Sequence, residues 1–298
     1  MNKKWEGIFA ALWTSTDKEG RVIDQDLQRN IAFLRGHGIH GLMVLGSTGE
    51  FLHLDVEARK RFAVRVVELL SPLPAIFNVT EIRPRLVAEL ARHARESGAA
   101  AIALLPPHFY PLAQADLVEW FVRAGEAAQL PLFLYNFPER TGNRIVLETL
   151  AAVADRTNVA GIKQSGAEFE YNRELVKLGR EKNFVVFAGS DTRIAEAMSF
   201  GVAGCIGGLA DMVPDLMVEI FNAVKAGTPE RAAVASERMR TLGKLVDQLE
   251  FPLNVAAAME ARGLPVGHPK SVVSPATQAR YQELVGKLRK LFAEWKLI

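Results

Sequence analysis

Ser97-Gly98-Ala99-Ala100-Ala101-Ile102-Ala103-Leu104-Leu105 is a glycine turn that runs into a short segment with an apolar residue at every position. A strand with one wet face alternates apolar and polar residues, whereas a strand apolar throughout is covered on both faces, as in a parallel sheet sheathed in helices. Gly98 supplies the left-handed residue that ends a helix, and the preceding Leu86 to Ala94 carries apolar residues at helical spacing with charges on the other side. Helix, glycine and buried strand thus form one unit, and the unit repeats. Strands are predicted at Gly7 to Trp13, Gly41 to Leu45, Ala75 to Val79, Ala100 to Leu105, Leu132 to Asn136, Val159 to Gln164, Phe184 to Ala188 and Gly204 to Gly208. Helical stripes are predicted at Leu27 to Leu34, Val56 to Leu70, Leu86 to Ala94, Leu117 to Ala127, Leu147 to Ala154, Leu175 to Leu178 and Val213 to Val224. Eight strand-first units imply an α/β fold closed as a (β/α)8 TIM barrel. A doubly wound open sheet competes, but it usually has fewer strands, and no Gly-x-Gly-x-x-Gly lies between a strand and a helix. After Gly227 the strand signal stops. Three helical segments follow, Pro229 to Val246, Leu253 to Arg262 and Thr277 to Trp295, so residues 1–226 are read as the barrel and 227–298 as a C-terminal helical appendage.

Composition narrows the function classes. The 298 residues are 49% hydrophobic and 23% charged with a net charge of +2, within the range of a globular domain and outside that of a disordered chain. Basic and acidic residues are interleaved, and the patches at Lys3-Lys4 and Lys287 to Lys290 read as solvated helix faces or termini, so no nucleic-acid partner is expected. No apolar run approaches the ~20 residues of a membrane span, and the short Gly7 to Trp13 stretch lacks a small-residue cleavage site; a cytoplasmic protein is expected. The one cysteine, Cys205, excludes an intramolecular disulfide, and its apolar, glycine-rich surroundings read as those of a small buried thiol rather than a nucleophile.

A barrel core is packed with side chains, so chemistry is sought among polar residues at the carboxyl ends of the strands. The second strand runs into Gly46-Ser47-Thr48-Gly49-Glu50. That is either a plain polar turn or one whose hydroxyls and amides hold a small carboxylate. The sixth strand delivers Lys163 after Val159-Ala160-Gly161-Ile162. A buried ammonium is costly. It is relieved by a carboxylate partner, by reaching the rim, or by giving up its proton, and a neutral amine attacks carbonyls to form a Schiff base. The fifth strand ends Leu134-Tyr135-Asn136-Phe137-Pro138-Glu139-Arg140. Tyr135 is either a core ring or a proton relay for imine chemistry, and Arg140 is either a surface ion-pair partner or a fork for a carboxylate.

Taken together, Gly46-Ser47-Thr48-Gly49-Glu50, Tyr135-Asn136-Phe137-Pro138 and Gly161-Ile162-Lys163 resemble the motifs of the dihydrodipicolinate synthase and N-acetylneuraminate lyase superfamily, the class I pyruvate-dependent aldolases. The resemblance covers almost the whole chain. Gly189-Ser190-Asp191 after strand seven and the C-terminal helices also correspond. It implies that Lys163 condenses with the 2-oxo group of pyruvate or another 2-oxo acid, that the resulting enamine adds to an aldehyde or the reverse cleavage occurs, and that Lys163, Tyr135 and Thr48 form the catalytic set. Ser47, Thr48 and the amides of their turn, including Gly49, would hold the carboxylate; Gly189, Asp191 and Ile206 would line the same pocket. No metal and no organic cofactor are implied, and the absence of His-Glu-x-x-His, paired Cys-x-x-Cys and Gly-x-x-x-x-Gly-Lys agrees with that.

The resemblance leaves the second substrate open. Arg140 sits where the synthases bind the carboxylate of aspartate semialdehyde, which favours an acidic aldehyde. The synthases also borrow a tyrosine from a neighbouring subunit in a Pro-Tyr-Tyr-Asn segment. Here the segment reads Pro107-His108-Phe109-Tyr110-Pro111, with Phe109 at the phenol position and Tyr110 as the candidate substitute relay. Sialic acid lyases carry an acid and a serine where this chain has Thr192 and Gly208. Aldolases and dehydratases of 2-keto-3-deoxy sugar acids tolerate more variation at these positions. The alternative of another class is a non-catalytic 2-oxo acid binding protein, which need keep the carboxylate grip but neither Lys163 nor Tyr135. The family commonly assembles as a tetramer built as a dimer of dimers, so a homo-oligomer is expected.

Overall fold

In the computed structural model, which describes residues 5–298, strand and helix alternate from Gly7 to Lys225. β1 (Gly7–Ala11) leads into α1 (Asp24–Gly36), β2 (Gly41–Val44) into α2 (Val56–Leu70), β3 (Ala75–Asn78) into α3 (Pro84–Glu96) and β4 (Ala101–Leu104) into α4 (Gln114–Ala128). β5 (Leu132–Asn136) is followed by the single turn α5 (Pro138–Thr141) and by α6 (Leu147–Ala154). Then come β6 (Val159–Gln164) and α7 (Tyr171–Lys182), β7 (Val185–Ala188) and α8 (Ile194–Phe200), and β8 (Gly204–Gly207) and α9 (Pro214–Lys225). Each strand pairs in parallel with the next, and β8 pairs with β1, so the sheet of the described residues closes as the predicted eight-stranded barrel.

The unit read from Ser97 to Leu105 forms for the stated reasons. Pro84 opens α3, where its missing N–H has no helical partner to lose. The stripe of Leu86, Val87, Leu90, Ala91 and Ala94 is buried, and Gly98 ends the turn at φ +83°. All four residues of β4 are buried; each large aliphatic side chain so covered contributes ~1.5–3 kcal/mol relative to exposure. The strands are shorter than predicted at several ends: β1 stops at Ala11 rather than Trp13, and β4 spans Ala101–Leu104. α7 is longer than the predicted Leu175 to Leu178. The helix between β7 and β8, for which no stripe was predicted, is the two-turn α8.

The barrel interior is plugged by an aromatic layer. Phe9 meets Phe187 with ring centroids 5.2 Å apart, and Phe133 meets Phe187 at 6.1 Å. Phe133 is in register with Gly161 on β6, and a Cβ at Gly161 would collide with its ring. Lys163, two residues on, projects from the same face of the strand above this floor.

Three further helices, α10 (Pro229–Val246), α11 (Leu253–Ala261) and α12 (Pro275–Glu294), complete the chain, close to the predicted segments. Met239, Leu242, Val246 and Val255 join the same apolar cluster as the strands. The segment between α11 and α12 returns to the barrel: Trp13 donates its indole N–H to Val266 O at 3.0 Å, and His268 N–H bonds Thr16 O at 2.7 Å. Lys287 pairs with Glu283 on a solvated face of α12, as expected of that basic patch, whereas Lys3-Lys4 lies outside the described residues. Cys205 is fully buried and burial pushes its thiol pKa up, in keeping with an inert core position. Among the described residues no helix is long and apolar enough to cross a membrane.

Candidate active site

Register does much of the work. Tyr135 on β5 is directly beside Lys163 on β6, so the two side chains emerge together, with the Lys163 Nζ 4.3 Å from the centre of the Tyr135 ring. Lys163 is only 5% exposed, yet among the described residues its ammonium has no carboxylate within ion-pair distance. It neither reaches bulk water nor is locked to an acid. Instead it lines a cavity of about 320 Å³ at the carboxyl end of the barrel, together with Ser47, Thr48, Tyr135, Asp191 and Ile206. Larger clefts at the amino ends of the strands, about 510 and 690 Å³, hold neither lysine nor tyrosine.

The turn after β2 reaches the same cavity. It begins at Leu45 with φ +59° and ends at Glu50 with φ +52°, so two non-glycine residues in the left-handed region bracket Gly46 to Gly49. Each such residue costs ~1–2 kcal/mol and persists only where its surroundings enforce it. The enforcement is visible: the buried Asn78 side chain donates to Leu45 O at 2.7 Å, and Glu50 N–H bonds Ser47 O at 3.1 Å. Ser47 Oγ lies 3.5 Å from the Tyr135 hydroxyl. Thr48 is buried, with its hydroxyl against Gly208.

Asp191 follows β7 and tucks its carboxyl beneath β8, where a Cβ on Gly207 would overlap its Oδ1. That oxygen is enclosed and has no hydrogen-bond partner among the described residues. Desolvation raises the Asp191 pKa to about 6, opposed by the nearby Lys163 and by backbone amides at Gly208 and Leu209. Asp211 lies behind it, accepting the Trp13 N–H at 3.2 Å. Burial pushes its pKa well up, opposed by that N–H and reinforced by the charge of Asp191.

A second cavity of about 300 Å³ adjoins the first at Ser47 and Phe251 and is lined by Arg140 and His108. Arg140 is exposed and pairs with no carboxylate among the described residues; its guanidinium rests near the rings of Phe137 and Phe251, at 5.8 and 5.5 Å. The structure thus brings Lys163, Tyr135, Ser47, Thr48, Gly189, Asp191 and Ile206 around one cavity and Arg140 to its neighbour. Gly49 lies in the turn, packed against Leu12 O rather than lining the cavity. Tyr110 is not brought in: it is 62% exposed, stacked edge-on against Phe109, which is 82% exposed. Ser165, Asp247, Phe251 and Asn254 also wall the first cavity without having been singled out in the sequence.

Residues 4–291 match the model of the dihydrodipicolinate synthetase family. The chain belongs to that family. Among curated proteins, a 4-hydroxy-tetrahydrodipicolinate synthase of Methanosarcina mazei is 29% identical over 96% of this chain and 98% of its own. An uncharacterized DapA-like lyase of Halobacterium salinarum is 32% identical over 78% of this chain and 77% of its own. Among solved structures, the Escherichia coli K12 prophage protein YagE of the dihydrodipicolinic acid synthase family, in complex with pyruvate, superposes with a TM-score of 0.90. It is 26% identical and covers 96% of this chain and 98% of its own. Membership of the dihydrodipicolinate synthetase family agrees with the resemblance carried by the three sequence motifs and with the closed barrel.

Proposed function

We propose that this member of the family is a pyruvate-dependent lyase or synthase of the lysine Schiff-base type. The observation that carries the reading is Lys163, a buried amine with no ion-pair partner among the described residues, facing a cavity beside a tyrosine. The amine attacks the 2-oxo carbon, water leaves, and the iminium so formed draws electrons from the adjacent carbon, which loses a proton to become an enamine. That enamine adds to an aldehyde; cleavage is the same path reversed. Ser47 and Thr48, with the amides of the turn that contains Gly49, grip the carboxylate, since a rigid turn of hydroxyls and N–H groups suits a small anion. Tyr135, within reach of Ser47, donates and accepts the protons that imine formation requires. Gly189, Asp191 and Ile206 form the wall. A barrel that only bound the oxo acid would have no use for a tyrosine held over the amine.

Arg140, lining the adjoining cavity without a carboxylate partner among the described residues, supports an acidic aldehyde such as aspartate semialdehyde as second substrate. A second reading, a 2-keto-3-deoxy sugar acid, is supported by Ser165, Ser190, Thr192, Asp247 and Asn254 on the first cavity's wall, which suit a hydroxylated chain. The exposed Phe109 and Tyr110 pair supports a homo-oligomer, in which a second copy would cover these rings. The test is pyruvate consumption or release with each aldehyde class in turn. Turnover with one class, abolished in Lys163→Ala, is expected; turnover surviving in that variant would overturn the reading.

A further inference from the structure

Glu50 closes the Ser47-Thr48 turn, and its carboxylate does not point free into solvent. Its Oε2 accepts from Lys270 Nζ at 2.6 Å, with the two side chains 8% and 3% exposed. Lys270 lies 220 residues further along the chain, between α11 and α12, and its ammonium stands 4.8 Å from the centre of the Trp13 ring. Burial lowers its pKa against the opposing pull of Glu50. The segment that carries it is itself anchored to the end of β1 and the loop beyond. His268 N–H bonds Thr16 O, the Trp13 indole bonds Val266 O, and Ser15 Oγ lies 3.3 Å from Pro265 O.

On the other side of the pair, Glu50 holds a left-handed backbone that a non-glycine residue adopts only under constraint. An exposed ion pair would supply little constraint. A desolvated ammonium facing a desolvated carboxylate does, because moving either strands the other in an apolar setting. The chain of contacts therefore runs from the β1 loop to the C-terminal segment, from Lys270 to Glu50, and from Glu50 through its N–H to Ser47 O.

We propose that Lys270 is a positioning residue for the oxo-acid carboxylate: through Glu50 it locks the Ser47-Thr48 turn in the geometry that faces its hydroxyls and amides toward Lys163. The inference rests on the reading of that turn as the carboxylate grip. It gives the segment between α11 and α12 a part in substrate binding.

The experiment compares wild type, Lys270→Met, Lys270→Arg and the double variant Lys270→Met with Glu50→Gln, which removes the stranded charge if the single variant folds poorly. Each is titrated with pyruvate, trapped with borohydride and scored for the half-saturating concentration and the rate at saturation; melting temperature is read in parallel. The double variant should melt close to wild type yet need at least ~10-fold more pyruvate, about 1.4 kcal/mol of binding, with its rate at saturation little changed. Lys270→Arg, which keeps the pair, should return most of the affinity. A folded double variant with wild-type half-saturation would overturn the role of Lys270 alone. Wild-type protein that forms no adduct would overturn the Schiff-base reading, and this inference with it.

Discussion

Replacing Asp191 by asparagine should make the protein more stable at neutral pH and leave the acid side nearly unaffected. The carboxyl is held beneath β8 with Oδ1 enclosed and unpartnered, and desolvation lifts its pKa from 3.8 to about 6. Because the folded state then binds a proton more tightly than the unfolded chain, folding loses stability as pH rises between those two values, and the loss is complete above the folded value. A rise from 3.8 to about 6 corresponds to ~3 kcal/mol. Asp191 is half-buried as a residue, so solvent trims that ceiling and a gain of ~1–3 kcal/mol is expected. Asp211 adds in the same direction, since part of its own raised pKa comes from the charge of Asp191. The assay is urea unfolding of both proteins from about pH 4 to about pH 7.5, across the window in which the group titrates. The variant's advantage should grow through the window and then level off. A difference that is flat across it would refute the argument, because a packing effect of the substitution does not depend on pH.

Three other outcomes follow from the same geometry. Tyr135→Phe keeps the ring beside Lys163 but removes the hydroxyl near Ser47; steady-state turnover should fall ~100- to 10,000-fold, as for loss of a proton-transfer group, with melting temperature little changed. Arg140→Ala, at an exposed position on the second cavity, should weaken binding of an acidic aldehyde by ~1.5–3 kcal/mol in KM measurements; an unchanged KM would favour the sugar-acid reading. His40 has its pKa lowered by burial, against the Ile8 backbone and Glu6, and its Nδ1 accepts the Ile8 N–H at 3.0 Å. A lowered folded pKa means stability that is present above the unfolded value of ~6.5 and is lost as pH falls; His40→Asn should flatten the decline in melting temperature below that pH.

Local pattern carried most of the fold. β5 and β6 lie where their apolar runs placed them, because both faces of each strand are covered, with every residue of β5 and all but Ala160 of β6 buried. α8 was not legible: its seven residues show too few turns for a stripe to stand out. α7 extends beyond its apolar stripe because Tyr171 and Asn172, both buried in its first turn, carry polar groups that give no local sign of burial. At the site, Lys163 and Tyr135 announced themselves as polar side chains at the ends of apolar strands. Asp247 and Asn254 did not, since only tertiary packing brings the C-terminal helices to the cavity wall, and Ser165, just past the end of β6, has the look of an ordinary turn residue. The left-handed Leu45 was also hidden, for a leucine carries no local hint of positive φ. Nor could spacing reveal the bond from Lys270 to Glu50 across 220 residues.

The most direct trial of the mechanism is to reduce the protein with borohydride in the presence of pyruvate, digest it and map the modified peptide by mass spectrometry. The adduct should lie on Lys163 and vanish in Lys163→Ala. Protein that stays unmodified, or label that lands on a different lysine, would contradict the account.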